Sequence, residues 1–422
     1  MRLDLLLAIV VFVATFVAIT VDKVHKTLVA LAGAVAVLLL GLISQEEAFS
    51  HVDWNVIFLL AGMMLIANTL RRTGVFEWAS LKIIDLARGE PVRVLLLLST
   101  LTAVASAFLD NVTTVVLMVP LTIIVAKALN ITPVPFLIAE ILASNIGGAA
   151  TLIGDPPNII IGSASGLDFG AFLINMGPPI IIIYALFVGM MILFFRRELY
   201  VPREQRVKAV SIDESHSITD PKLLIQSLSV LALVIVGFLL HGVLHLEAAT
   251  IALSGAVLLL LISGAEVHDM LSEIEWTTLL FFIGLFVLVE ALIKVGVVEI
   301  AARGMLEVTG GSPLITSILL LWGSGVVSGL IDNIPYTATM VPIVRELGQQ
   351  MPVEPLWWSL ALGACLGGNA TAVGASANVI VLSLADRAGY KISFGQFLKY
   401  GIAVTVVSLL VSTLYVWLRY LS

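Results

Sequence analysis

Long unbroken apolar runs limit what this chain can fold into. Residues 3–20, 54–70 and 172–195 are apolar over roughly the 20 residues that one helical crossing of a bilayer requires, without barrel-like alternation. In hydrocarbon every backbone polar group must bond within its own segment, so helices are the expected spanning elements. A chain with 59% apolar and only 12% charged residues excludes an ordinary soluble domain. The expected class is therefore an all-α polytopic membrane protein. The first run resembles the core of a signal peptide, but its counterpart near 223–240 is internal and uncleavable, so both are read as helices. The single cysteine, Cys365, excludes an internal disulfide and any multi-cysteine metal cage, and no cofactor is expected.

In chain order, apolar segments at 3–20, 27–43 and 54–70 precede an amphipathic stretch carrying Arg71, Arg72, Lys82, Arg88 and Arg93. That stretch is expected to lie along a membrane surface. Two arms, 94–108 and 112–126, are about 15 residues each, short for a crossing, and meet at Asp110-Asn111. This pattern predicts a re-entrant hairpin with a polar tip. A further segment, 136–163, is interrupted by Gly154-Asp155-Pro156-Pro157, and 172–195 follows it.

The plan then repeats 222 positions on. Gly33 meets Gly255, Trp54 meets Trp276, Gly62 meets Gly284, Asp110-Asn111 meets Asp332-Asn333 and Pro120 meets Pro342. After a two-residue slip, Gly147-Gly148 meets Gly367-Gly368, Thr151 meets Thr371 and Asn158 meets Asn378. Two repeats are predicted, 1–195 and 223–422, joined by a polar cytoplasmic linker at 196–222. Five crossings plus one hairpin per repeat is an odd count, which inverts the second repeat. With the linker inside, only Arg2, Lys294, Arg303, Arg345 and Arg419 of the 22 Lys and Arg fall outside. That bias satisfies the positive-inside rule, with ten crossings and both termini outside.

The irregular pieces carry the chemistry. A carboxylate within the membrane costs several kcal/mol unless it has partners or a role, which marks Asp110 and Asp332 as candidate proton or ion carriers. Asp155 is a third, present in one repeat only, because Ala375, Ser376 and Ala377 replace Asp155-Pro156-Pro157. Pro156 and Pro157 lack amide hydrogens, so the helix is expected to break there, which at membrane depth is tolerated beside a cavity or packed protein. Around the breaks, Gly147 and Gly148 allow close backbone approach, and Asn145, Thr151 and Asn158 add polar groups. Asn111, Thr113, Asn333 and Thr337 do so at the tips, and Asn369, Thr371, Ser376 and Asn378 in the second break. Helix ends, free carbonyls and a carboxylate in one place suit a cation or a small polar solute. No Lys or Arg lies among these motifs, so a multiply charged anion would depend on helix N-termini alone. With no Walker-type phosphate loop, the expected motor is an ion gradient.

Plainer readings stand beside these. Asp110, Asp332 and Asp155 each fit a helix N-cap. Glu140, near the inner end of its helix, and Glu290, four residues before Lys294, read as interface residues or ion pairs. Met63, Met64, Met190 and Met191 read as packing, and Cys365 as a structural thiol.

The run Ser144 to Ile161, SNIGGAATLIGDPPNIII, together with Phe108 to Pro120, resembles the ion transporter superfamily. The likeness is strongest to its branch of ArsB-type arsenite efflux proteins, P proteins and NhaD sodium/proton antiporters, and it spans essentially the whole chain. It implies inverted repeats working as an elevator in a bacterial inner membrane, with protons coupled to export of arsenite or antimonite. Sodium/proton exchange is the alternative and dicarboxylate carriage less favoured, because Asp110 and Asp332 stand where the superfamily's dicarboxylate carriers place serine. For some ArsB-type members it also implies a soluble ATPase partner. Homodimerisation is left open, and no nucleic acid partner is expected.

Overall fold

The computed structural model describes residues 2–21, 23–199, 218–264 and 266–422. Most of the expected linker, with Arg203, Arg206 and Lys208, lies outside the described residues. Elsewhere the described chain is helices and their connections. The first half runs α1 (Arg2–Val21), α2 (Lys26–Leu39), α3 (Gln45–Ser50), α4 (Trp54–Arg72), α5 (Val75–Leu86), α6 (Pro91–Phe108), α7 (Asn111–Ala128), α8 (Val134–Gly148), α9 (Pro156–Ser165) and α10 (Phe169–Phe195). The second half presents the same series as α11 (Pro221–Leu244), α12 (Ala248–Ser263), α13 (Val267–Ser272), α14 (Trp276–Lys294), α15 (Val297–Thr309), α16 (Pro313–Leu330), α17 (Asn333–Leu347), α18 (Glu354–Gly367), α19 (Ser376–Arg387) and α20 (Phe394–Val416). Each helix thus has its counterpart ten elements later, and α20 runs on into a π-helical turn, Trp417–Leu421.

The halves pack on each other reciprocally. α4 lies against α12, and α2 against α14. A Cβ on Gly62 would stand 2.8 Å from the Ala252 carbonyl carbon, and one on Gly284 would stand 2.9 Å from that of Ala30. The two contacts involve equivalent residues in exchanged roles, the mark of an approximate two-fold relation between the repeats.

Among the described residues, nine helices are long and apolar enough to cross a membrane. The nine include three of the four hairpin arms, because α6, α7 and α16 have 18 residues rather than the expected fifteen or so. A turn between two full crossings would reach water, yet Asp110, Asn111 and Asn333 are only 5%, 3% and 2% exposed. By contrast, Leu3, Ile181, Ile225 and Leu261 are more than half exposed, an apolar girdle suited to lipid around a polar centre.

Several expectations change in detail. The second apolar segment ends at Leu39 rather than near residue 43. Gly41 takes a left-handed φ of 70°, and the Leu42 amide bonds back to the Val37 carbonyl, closing the helix. The amphipathic stretch is interrupted by Gly74 at φ 77° and by Arg88 and Gly89 at φ 52° and 64°. Arg71 and Arg72 end α4, where they pair with Glu273 at 3.7 and 2.9 Å. Glu290 does not pair with Lys294: it faces His51 at 3.6 Å, and Lys294 pairs with Glu47. Glu140 sits inside α8, fully buried, where its Oε1 accepts the Thr122 hydroxyl and, among the described residues, no ion pair is formed. Met63, Met64 and Met191 are buried and Met190 packs against the core. Cys365 is a buried free thiol, 3.3 Å from Asn158 Oδ1.

Candidate functional site

Four interruptions of helix build the site, and they come in equivalent pairs. At the hairpin tips, Leu109 and Ile331 leave their helices in extended conformation (φ −116° and −128°), and Asp110 and Asp332 cap the next ones. At the other pair, Asp155 and Ala375 are extended (φ −140° and −144°) and α9 and α19 begin after them. Prolines follow only Asp155, so they are not required for the break. What the two breaks share is backbone crowding. A Cβ on Gly148 would stand 2.5 Å from the Gly154 carbonyl oxygen, and one on Gly374 2.8 Å from that of Gly368. Gly147 and Gly367 likewise press on Ala103 and Gly325 of the neighbouring hairpin arms.

Side chains fasten each hairpin to its broken helix. Thr151 donates to the Ala107 carbonyl and Thr371 to that of Gly329. Asn158 donates to the Ala149 and Thr151 carbonyls, and Asn378 to those of Gly368 and Thr371. Thr337 returns its hydroxyl to the Asn333 carbonyl. In this conformation these groups, with Gly147 and Gly148, hold the walls of the site, and their polar hydrogens are already engaged.

The centre is a carboxylate reached from both repeats. Asn111 Nδ2 lies 3.1 Å from Asp155 Oδ1, and Asn333 Nδ2 lies 3.4 Å from each of the Asp155 oxygens. Although Asp155 occupies a cap position, its side chain makes no capping bond and turns to these amides instead. Asn145 extends the network: its Oδ1 lies 3.4 Å from Asn111 Nδ2, and its Nδ2 donates to Asn369 and Asn378 at 2.9 Å each. Asp155, Asn145, Asn158, Asn369 and Asn378 are fully buried, and Asn369 Nδ2 has no partner among the described residues. A buried donor without a partner is costly, which makes this amide a candidate to receive a further acceptor.

The two capping aspartates differ. Asp110 accepts the Thr113 amide at 2.8 Å and the Thr113 hydroxyl, staying within its own helix. Asp332 accepts the Ile334 amide at 3.1 Å, the Ser376 hydroxyl and, at 3.1 Å, the Lys26 ammonium. The expectation that no basic residue enters the motifs is thus corrected: Lys26, grouped with the loop charges by sequence, reaches the second hairpin tip from α2. A signal existed, because a lysine in the first turn of a helix opposes the macrodipole and calls for a nearby anion. Glu275 was also missed. It stands at the cap of α14 without capping it and accepts from Thr278 at 3.2 Å. Lys26, Asp332, Glu275 and Ser376 line a cavity of about 460 Å³, and a small void beside it joins Lys26 and Glu275 to Asp110.

Comparison with known proteins agrees with this architecture. A family profile described as CitMHS, citrate transporter, matches residues 16–363. The chain is 47% identical over 421 residues to an uncharacterized transporter of Mycobacterium tuberculosis, covering 98% of each. It is 35% identical to the P protein of Homo sapiens over 97% of this chain and 59% of that one. Among solved structures, the YdaH transporter of Alcanivorax borkumensis matches with TM-score 0.59 and 15% identity over 99% of this chain and 98% of its own. MtrF of Neisseria gonorrhoeae, from a class of antimetabolite efflux pumps, matches with TM-score 0.63 and 12% identity over 99% and 94%. These two likenesses concern the fold.

Proposed function

The chain belongs to the CitMHS family of citrate transporters within the ion transporter superfamily, and on that premise we propose a proton-coupled exporter of a small neutral solute. It is a polytopic membrane transporter and not an enzyme. The observation that carries the proposal is the convergence of Asn111 and Asn333 on Asp155, which gives both repeats one shared ionisable centre. Asp155, Asp110 and Asp332 are the proton carriers in this reading. Asn111, Asn333, Asn145 and the free amide of Asn369 are the ligands of the solute.

The charges at the site bear on the cargo. Among the described residues Lys26 pairs with Asp332, while Asp110 and Glu275 line the adjoining void and Asp155 lies between the tips, so a multiply charged anion such as citrate meets repulsion at short range. An uncharged polyol-like solute bonds to amides without that penalty. Arsenite, as its neutral trihydroxide, is the cargo proposed from the sequence resemblance, with export across a bacterial inner membrane. The movement proposed is an elevator. α6–α9 and α16–α19 pack mainly among themselves as the travelling body, against a frame in which α2, α4, α12 and α14 interlock. Everted vesicles test the proposal: an inside-acid proton gradient is expected to drive arsenite uptake, and its absence ends the arsenite reading. The wealth of carboxylates favours sodium/proton exchange as the second reading, which predicts that sodium dissipates the gradient reported by a pH-sensitive dye.

A further inference from the structure

Lys26 occupies a position that a small free cation could take. Its ammonium lies 3.1 Å from Asp332 Oδ2, hydrogen-bonds Ser376 and stands 5.3 Å from the centre of the Phe281 ring. The Asp332 side chain is 11% exposed and that of Lys26 28%, so the pair is shielded without being sealed from the large cavity. Titratable groups around it come from several elements: His25 before α2, Asp110 before α7, Glu275 before α14 and Asp332 before α17. The repeat relation makes the lysine conspicuous. Its counterpart is Ala248, so the equivalent position offers no cation to the other hairpin tip.

We infer that Lys26 is the residue that sets the ion specificity of this site, a tethered ammonium that satisfies Asp332 and thereby excludes free sodium. The inference rests on reading the convergent tips as the transport site, but it is tested by binding, which does not require the cargo to be known. A carboxylate with a hydroxyl and an aromatic face beside it holds an ammonium or an alkali ion by similar attraction. A tethered ammonium wins because its local concentration is fixed by the chain. Removing the charge while keeping the aliphatic stem empties the position and leaves Asp332 to recruit a cation from solution. Replacing lysine by arginine keeps it filled.

The experiment is thermal unfolding of the purified full-length protein in detergent, titrated with sodium chloride against choline chloride. Wild type and Lys26→Arg are expected to unfold at the same temperature in both salts. Lys26→Met is expected to gain about 2–4 °C in saturating sodium, and Lys26→Met combined with Asp332→Asn to lose that gain. Lys26→Gln is the second variant, should methionine disturb folding. Recovery of folded Lys26→Met or Lys26→Gln in sodium but not in choline also supports the inference. Equal behaviour of Lys26→Met in both salts overturns it, as does sodium stabilisation of wild type, or failure of both variants to fold in either salt.

Discussion

Asn111 and Asn333, one at each hairpin tip, direct their amide nitrogens at the same oxygen, Asp155 Oδ1, at 3.1 and 3.4 Å. The halves of the chain are therefore joined at one acidic group that belongs to the first alone. Because both amides donate to it, its removal is predicted to harm more than charge. Asp155→Ala takes the acceptor from the buried Asn333 amide and leaves that of Asn111 only its 3.4 Å contact with Asn145, at a cost of about 1–3 kcal/mol per lost partner, whereas Asp155→Asn keeps an acceptor oxygen and unfolds close to wild type. Thermal unfolding in detergent separates the two.

Close helix contacts make glycine substitutions strongly position-dependent. Gly147→Ala would place a Cβ 2.1 Å from the Ala103 carbonyl oxygen, backbone that cannot yield, and is expected to destabilise by about 1–3 kcal/mol or more. Gly189→Ala, within α10 and with open space around it, is expected to stabilise by roughly 0.5–1 kcal/mol. A melting comparison of the two variants checks the contrast.

Glu140 and Thr122 form a buried pair in the first repeat, and Glu140 Oε2 has no partner among the described residues. The equivalent positions in the second repeat hold Leu360 and Val344. Thr122→Val alone strips the carboxyl of its donor and is expected to cost about 1–3 kcal/mol. Adding Glu140→Leu is expected to recover most of that loss, as replacing both polar partners by apolar groups can be nearly neutral. A double-mutant cycle measured by thermal unfolding will show the non-additivity.

At the start of α3, the hydrogen bond from Lys294 and then those from Ser44 hold the Glu47 carboxyl down to about 2, from 4.5. A depressed value means that the ionised group favours the folded state. Its contribution is full above pH 4.5 and fades as pH falls toward 2. The difference in melting temperature between wild type and Glu47→Gln is therefore expected to hold at pH 7 and to shrink steadily below pH 4.5.

The helical architecture was legible because duplication and hydropathy are written residue by residue: equivalent glycines at 62 and 284 fall in equivalent close contacts, and the two Asp-Asn pairs both fall at helix starts. The sequence also named Asp155 and the asparagines that meet there. Less was legible where a partner comes from far along the chain. Lys26 reads as an ordinary loop cation until α2 brings it to a hairpin tip 306 residues away. Proline was given the helix break that Gly374-Ala375 makes without it, since close packing of glycine backbones leaves no hydropathy signal. Side chains expected to face a solute, Thr151, Thr371, Asn158 and Asn378, spend their donors on nearby carbonyls, a choice of rotamer that residue type does not reveal.

In the proposed function, one carboxylate shared by both hairpin tips couples protons to the movement of cargo. The most direct test is arsenite uptake into everted vesicles under an imposed proton gradient, comparing wild type with Asp155→Asn at equal amounts of folded protein. Uptake by wild type and its loss by about a hundredfold or more in Asp155→Asn is the predicted result, in line with removal of a proton-transfer group. Uptake by Asp155→Asn at the wild-type rate would contradict the account.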